Sequence, residues 1–166
     1  VAWDYLKQFA GAIPMVRFHE TELRCDLPNG ARIQLLGAEN PDSLRGIYQD
    51  GTCLDEMADM PESLFPEIIR PALSDRKGWA LFIGTPRGHN AFFELYSAAE
   101  SQDDWHTALF KASETGILDD EELEAASSMM SPDQYAQEYE CSWVANVPGA
   151  VYGKELQELH EMGRIT

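Results

Sequence analysis

Two short apolar runs, each halted by a polar turn, constrain this chain more than any other feature. The first is Gly51-Thr52-Cys53-Leu54, which stops at the adjacent carboxylates Asp55 and Glu56. The second is Trp79-Ala80-Leu81-Phe82-Ile83, which stops at Gly84-Thr85-Pro86-Arg87-Gly88. Runs of this kind, bounded by turn signals, fit buried strands. Between them, Leu64, Phe65, Ile68, Ile69 and Leu73 recur at helical spacing over 62–73. Pro61 sits at a favourable starting position, and Pro71 is expected to end or kink the helix. Strand, helix, strand over roughly thirty residues makes a right-handed crossover with parallel strands. Both strand ends then share one edge of the sheet, the carboxyl edge at which open α/β sheets bind ligands. Side chains alternate faces along a strand, so Asp55 and Glu56 can share a site only if the strand ends and the backbone turns there. One carboxylate can then hold a hydrated Mg²⁺ and the other can orient a water. The same pair also fits a solvated acidic end of a strand.

The flanks extend an α/β reading. Trp3, Leu6, Phe9 and Ala10 give a helix over 1–10, broken by Ile13-Pro14-Met15. Residues 22–27 and 31–36 flank Pro28-Asn29-Gly30, which predicts a hairpin with positive φ available at Asn29 and Gly30. Downstream, the pattern predicts a helix over 89–99, a strand over 105–111 and an acidic helix over 119–129. Ser131-Pro132-Asp133 caps a further helix carrying Tyr135 and Tyr139. Pro148-Gly149 is a break before an amphipathic helix over 151–162.

Composition narrows the function classes. The 166 residues suit one domain with a sizeable core. The 12 basic and 29 acidic side chains leave a net charge of −17, which opposes autonomous DNA binding, since that depends on neutralising phosphates. No apolar run approaches the roughly 20 residues that span a bilayer. Cys25, Cys53 and Cys141 form no CxxC pair, so neither a zinc site nor a disulfide framework is expected, and a reducing, cytoplasmic compartment is.

Taken in order, these motifs resemble a family. Arg45-Gly46, the apolar run ending in Asp55-Glu56, and Phe82-Ile83-Gly84-Thr85-Pro86-Arg87-Gly88 are followed by Gln137-Glu138-Tyr139-Glu140-Cys141 and Gly149-Ala150-Val151-Tyr152-Gly153-Lys154-Glu155. The succession resembles the large terminase subunit of tailed phages, the motor that packs DNA into proheads, and most of all prophage versions of the Mu-like or lambdoid sort. The resemblance implies a partial RecA-like fold of the ASCE P-loop NTPase class, a mostly parallel sheet flanked by helices and followed by a helical C-terminal segment. It implies that Asp55 is the Walker B aspartate that helps hold Mg²⁺·ATP, and that Glu56 is the catalytic carboxylate that activates water. Gly84, Thr85 and Pro86 then form the coupling motif, with the Thr85 hydroxyl directed at the γ-phosphate or the water, and Arg87 is a candidate phosphate sensor. The implied partners are double-stranded DNA, the portal of the prohead and the small terminase subunit, in the host bacterial cytoplasm and with no membrane.

The chain departs from the family in two places. The phosphate-binding loop of the GxxxxGK[ST] kind (Walker A) does not occur in it, and the nuclease domain is expected to lie outside it. The expected organisation is residues 1–146 as the later part of the ATPase domain and 147–166 as a linker helix. The chain is expected to be a fragment or a broken gene, inactive alone and a weak binder of DNA. Two rivals stand beside this reading. A Mg²⁺-dependent nuclease could gather Asp55, Glu56, Asp59 and Glu62 around metal. A non-catalytic acidic interaction module could dock a partner through Trp3, Tyr5, Trp105 and Trp143. His19, His89, His106 and His160 are scattered and read as structural or surface residues.

Overall fold

The computed structural model describes residues 1–144 together with Met162 and Arg164. The helix expected over 151–162 and the boundary expected at 146/147 lie outside the described residues. Packing divides the chain into two units, Val1–Arg45 and Gly46–Thr166.

In the first unit, α1 (Ala2–Ala10) lies on a three-stranded antiparallel sheet. Its strands are β1 (Arg17–His19), β2 (Arg24–Asp26) and β3 (Arg32–Gln34), in the order β1-β2-β3. Trp3, Leu6 and Ala10, one stripe of α1, pack with Phe18, Cys25, Leu27 and Leu35. The Trp3 ring meets Phe18 edge-on at 5.9 Å, and its Nε1 donates to Glu20 at 2.7 Å, so the buried indole keeps its hydrogen bond. The hairpin differs in detail from expectation. Leu27 N donates to Ala31 O and Gly30 N to Leu27 O, so the loop has three residues, and of Asn29 and Gly30 only Gly30 has positive φ (+84°). Asn29 contributes its side chain instead, accepting from Ala31 N at 3.0 Å.

In the second unit, β4 (Gly51–Leu54) and β5 (Trp79–Phe82) pair in parallel, with Gly51 opposite Trp79 and Leu54 opposite Phe82. The connection contains the expected helix in altered form. A π-helical segment, Leu64–Ile69, runs into α2 (Arg70–Ser74), with Pro71 in the first turn of α2. Pro66 and Pro71 each lack an N–H, and widening the turn between them accommodates both missing donors. Leu64, Ile68, Ile69 and Leu73 are buried, each fully buried leucine contributing about 2–3 kcal/mol. Phe82 reaches this layer, meeting Phe65 edge-on at 4.6 Å and stacking on Trp105 at 5.8 Å.

Helices α3 (Ala91–Ala99), α4 (Ala112–Thr115), α5 (Asp120–Met129) and α6 (Pro132–Glu138) follow. Asn90, Asp119 and Ser131 cap α3, α5 and α6, Ser131 in a capping box with Gln134. Three sheet expectations need correction. The mostly parallel sheet is, among the described residues, one parallel pair, because only 51–82 contains a helical crossover while the short links of 17–34 force antiparallel hairpins. The expected strand over 105–111 alternates half-buried and exposed residues as predicted but pairs with no strand among the described residues. Finally, β4 and β5 are buried on one face only. Trp79 (61% exposed), Leu81 (49%) and Ile83 (45%) look outward beside Cys53, and Trp79 lies across Gly51, where any side chain would collide with the indole.

Candidate active site

The parallel ladder runs one step past both strands and then slips. Ile83 N donates to Leu54 O at 2.9 Å. A regular ladder would return a bond from Glu56 N to Ile83 O. That bond comes from Met57 N instead, at 2.9 Å. One extra residue is therefore accommodated at Asp55-Glu56, a bulge at the end of β4. Glu56 absorbs it in the left-handed conformation, φ 59° and ψ 45°. This is the turn that adjacent carboxylates need if both are to serve one site. Both are exposed, and neither carboxylate has a hydrogen-bond or ion-pair partner among the described residues.

Beyond the bulge, a 3₁₀ turn (Met57–Asp59) tucks the buried Met57 side chain inward. The segment after β5 comes up against this turn. A Cβ added at Gly84 would lie 3.1 Å from Met57 N and 3.4 Å from Glu56 Cα, so glycine permits the approach. Thr85 is half-buried, Pro86 is buried, and the Arg87 guanidinium pairs with the Asp59 carboxylate. Asn90 closes the circuit: its Nδ2 donates to Ala58 O at 3.1 Å, and its Oδ1 accepts from Phe92 N and Phe93 N.

The structure thus brings Asp55, Glu56, Gly84 and Thr85 to one rim of the β4–β5 pair. Arg87 lies on the same rim, its charge engaged by Asp59. Sequence reasoning missed Asn90. The signal was present, since an Asn just before an apolar helical pattern is an N-cap signature. Partial desolvation, and secondly the Asp55 charge, push the Cys53 thiol up. No group of three or more His, Cys, Asp or Glu side chains is arranged to hold a metal among the described residues, and the Asp59 carboxylate pairs with Arg87. The aromatic docking surface is corrected too. Trp3 is buried, Trp105 stacks on Phe82, and Trp143 packs among Phe92, Phe93 and Tyr96, leaving only Tyr5 of the four exposed. No helix among the described residues is long and apolar enough to cross a membrane.

A family model described as terminase large subunit, T4likevirus-type, N-terminal, matches residues 4–157. The chain belongs to the terminase large subunit family. Terminase large subunits of Thermus phage G20c and Escherichia phage T5 are similar to it, at 51% identity over 59 residues and 31% over 122 residues. Those matches cover 36% and 71% of this chain but only 12% and 28% of the relatives' own lengths. Among solved terminases, the Thermus phage P74-26 large terminase ATPase domain superposes with a TM-score of 0.59 at 27% identity, covering 85% of this chain and 68% of that one. The large terminase of a thermophilic bacteriophage shares the fold, with a TM-score of 0.68 at 20% identity over 83% of this chain and 36% of that one. The α/β architecture described above is thus that of a terminase ATPase domain.

Proposed function

We propose that this chain is the part of a DNA-packaging motor's ATPase that carries its water-activating and coupling elements. The observation that carries the reading is the bulge. It turns the chain where Asp55 and Glu56 come up against Gly84, at the carboxyl end of a parallel strand pair joined by a helical crossover, which supports reading them with Thr85 and Pro86 as one site. In this reading the parallel pair is the chain's share of a RecA-like fold of the P-loop NTPase class.

The residues present fit half of a Mg²⁺·ATP site. Mg²⁺ keeps most of its waters and takes one or two carboxylates, which Asp55 at an exposed, unpartnered strand end can supply. Bound there, the ion would supply neutralising charge to the phosphates. Glu56 is free to accept the proton of an attacking water, and Thr85 can offer its hydroxyl to the same region. The GxxxxGK[ST] motif, whose loop supplies a cradle of backbone N–H groups and a lysine for the phosphates, does not occur in the sequence. Arg87 is a phosphate sensor in this reading only if nucleotide draws it from Asp59. Double-stranded DNA, the portal and the small subunit are partners of the whole motor, in the bacterial cytoplasm.

The 166-residue chain is accordingly expected to show no ATP turnover. Turnover abolished by Glu56→Gln in this chain alone would overturn that expectation. In a full-length terminase carrying this sequence, Glu56→Ala should remove hydrolysis and leave ATP binding nearly intact, since water and not nucleotide is its ligand. Equal loss of binding and hydrolysis would refute the assignment. A second reading, a non-catalytic interaction module, draws on the outward face of Trp79, Leu81 and Ile83, an apolar surface of the kind that further polypeptide covers.

A further inference from the structure

The geometry points to Asn90 as a positioning residue that holds the Glu56 turn in place and locks it to the start of α3. This inference rests on the reading of Glu56 as the water-activating acid. Three features of the structure carry it. First, the Asn90 side chain is used at both ends. Its Oδ1 accepts from Phe92 N at 3.1 Å and Phe93 N at 3.2 Å, while its Nδ2 donates to Ala58 O at 3.1 Å. The amide suits this set because it carries its acceptor and its donor on separate atoms, one facing two N–H groups and the other a carbonyl. An ordinary cap needs only the acceptor, for which Ser, Thr or Asp would serve equally.

Second, Ala58 lies in the 3₁₀ turn that follows Glu56 directly. Asp59 N donates to Glu56 O at 3.0 Å, so a pull on Ala58 O acts one peptide from the carbonyl of Glu56. Third, the bond spans 32 residues and is accompanied by two ties to the same segment. These are the Arg87–Asp59 ion pair and the Met57 N bond to Ile83 O. The turn that bears the acid and the segment from Ile83 to Asn90 therefore move as one piece. Of the three ties, one is the slipped main-chain bond and one is an exposed ion pair, leaving Asn90 as the half-buried side-chain link. Displacement of the Gly84–Gly88 segment is delivered through it to the backbone of Glu56.

Asn90→Asp and Asn90→Ser separate the tie from the cap. Both keep an oxygen for Phe92 N and Phe93 N; the aspartate carboxylate has no proton to give Ala58 O, and the serine hydroxyl ends one bond short of the amide nitrogen that reaches it. The primary measurement is residue-resolved amide exchange on the 166-residue chain. Exchange of Met57, Asp59 and Met60 should accelerate on the order of tenfold in both variants, with Phe92 and Phe93 changed less than about twofold. Unchanged exchange at 57–60 would reduce Asn90 to a helix cap and overturn the inference. So would parallel acceleration at 92–93, which would mark general loosening. In a full-length terminase carrying this sequence, both substitutions should lower kcat on the order of tenfold with little change in KM, the signature of a displaced catalytic group. Faster exchange with an unaltered kcat would also overturn it. Should the unsubstituted protein hydrolyse no ATP, the reading of Glu56 is what fails, and amide exchange still decides whether Asn90 holds the turn.

Discussion

Glu56 occupies a backbone conformation that its residue type disfavours, and the cost can be measured. A left-handed L-residue pays roughly 1–2 kcal/mol through the approach of its Cβ to the backbone. Glycine escapes that term but loses roughly 0.5–1 kcal/mol more in conformational freedom on folding. Because the Glu56 side chain is exposed and unpartnered, truncation sacrifices no contact. Glu56→Gly is therefore expected to leave stability unchanged or raise it by up to about 1 kcal/mol. Glu56→Gln keeps the strained backbone and should fall within about 0.5 kcal/mol of the parent. Glu56→Val adds a β-branch at positive φ and should lose about 1 kcal/mol or more. Urea unfolding followed by tryptophan fluorescence reads all three, because Trp105 stacks on Phe82 of β5 within the same unit. A loss above about 1 kcal/mol for Glu56→Gly would refute the argument, since it would mean that the carboxylate itself stabilises the turn. If the ranking holds, the protein retains an acid where glycine would fold at least as well. That is the pattern expected when strain is kept for chemistry.

Gly84→Ala should cost about 1–3 kcal/mol, because its methyl must displace the Met57 amide 3.1 Å away; urea unfolding checks it, and a neutral result would show that the turn yields freely. Ser131→Ala removes half of a capping box and should destabilise α6 by about 1 kcal/mol, seen as faster exchange of Gln134 N. Leu73→Ala, at one of the most deeply buried positions, should cost about 2–5 kcal/mol in urea unfolding. The Glu20 carboxyl is held below its ordinary value by the hydrogen bond from Trp3 and then by that from Lys7. A depressed folded-state pKa means stabilisation that is complete above the unfolded value and lost as pH falls. The Trp3 environment should hold constant above pH 4.5 and change in fluorescence only below it, and Glu20→Gln should flatten that response.

How much of this could be read from the residues depended on whether the governing interaction was local. The crossover was legible because an apolar run, a helical stripe and a second apolar run are each local patterns, and handedness rules join them. Asp55 and Glu56 were legible as an acid pair at a strand end. Their bulge was not, because it is defined by which amide reaches Ile83 O, a contact between residues far apart in the chain. The π-helical widening before Pro71 was hidden for a similar reason: two prolines announce trouble in a helix but not how the turn relaxes. At 105–111 the alternation predicted which residues are half-buried and misled on pairing, since Trp105 stacks on Phe82 through its ring and not through a ladder. Asn90 carried a recognisable cap signature, yet its second hydrogen bond depends on where Ala58 lies.

The one-residue slip between β4 and β5 also governs what changes in length this site can survive. Removing a single residue at 55 or 56 would leave one acid and let the pairing continue in step, without the turn that now carries Glu56. An insertion or deletion of one residue there should therefore be more damaging than most replacements of either acid. Differences in length among related terminases are therefore expected in the connection that follows Pro61 and not across this stretch.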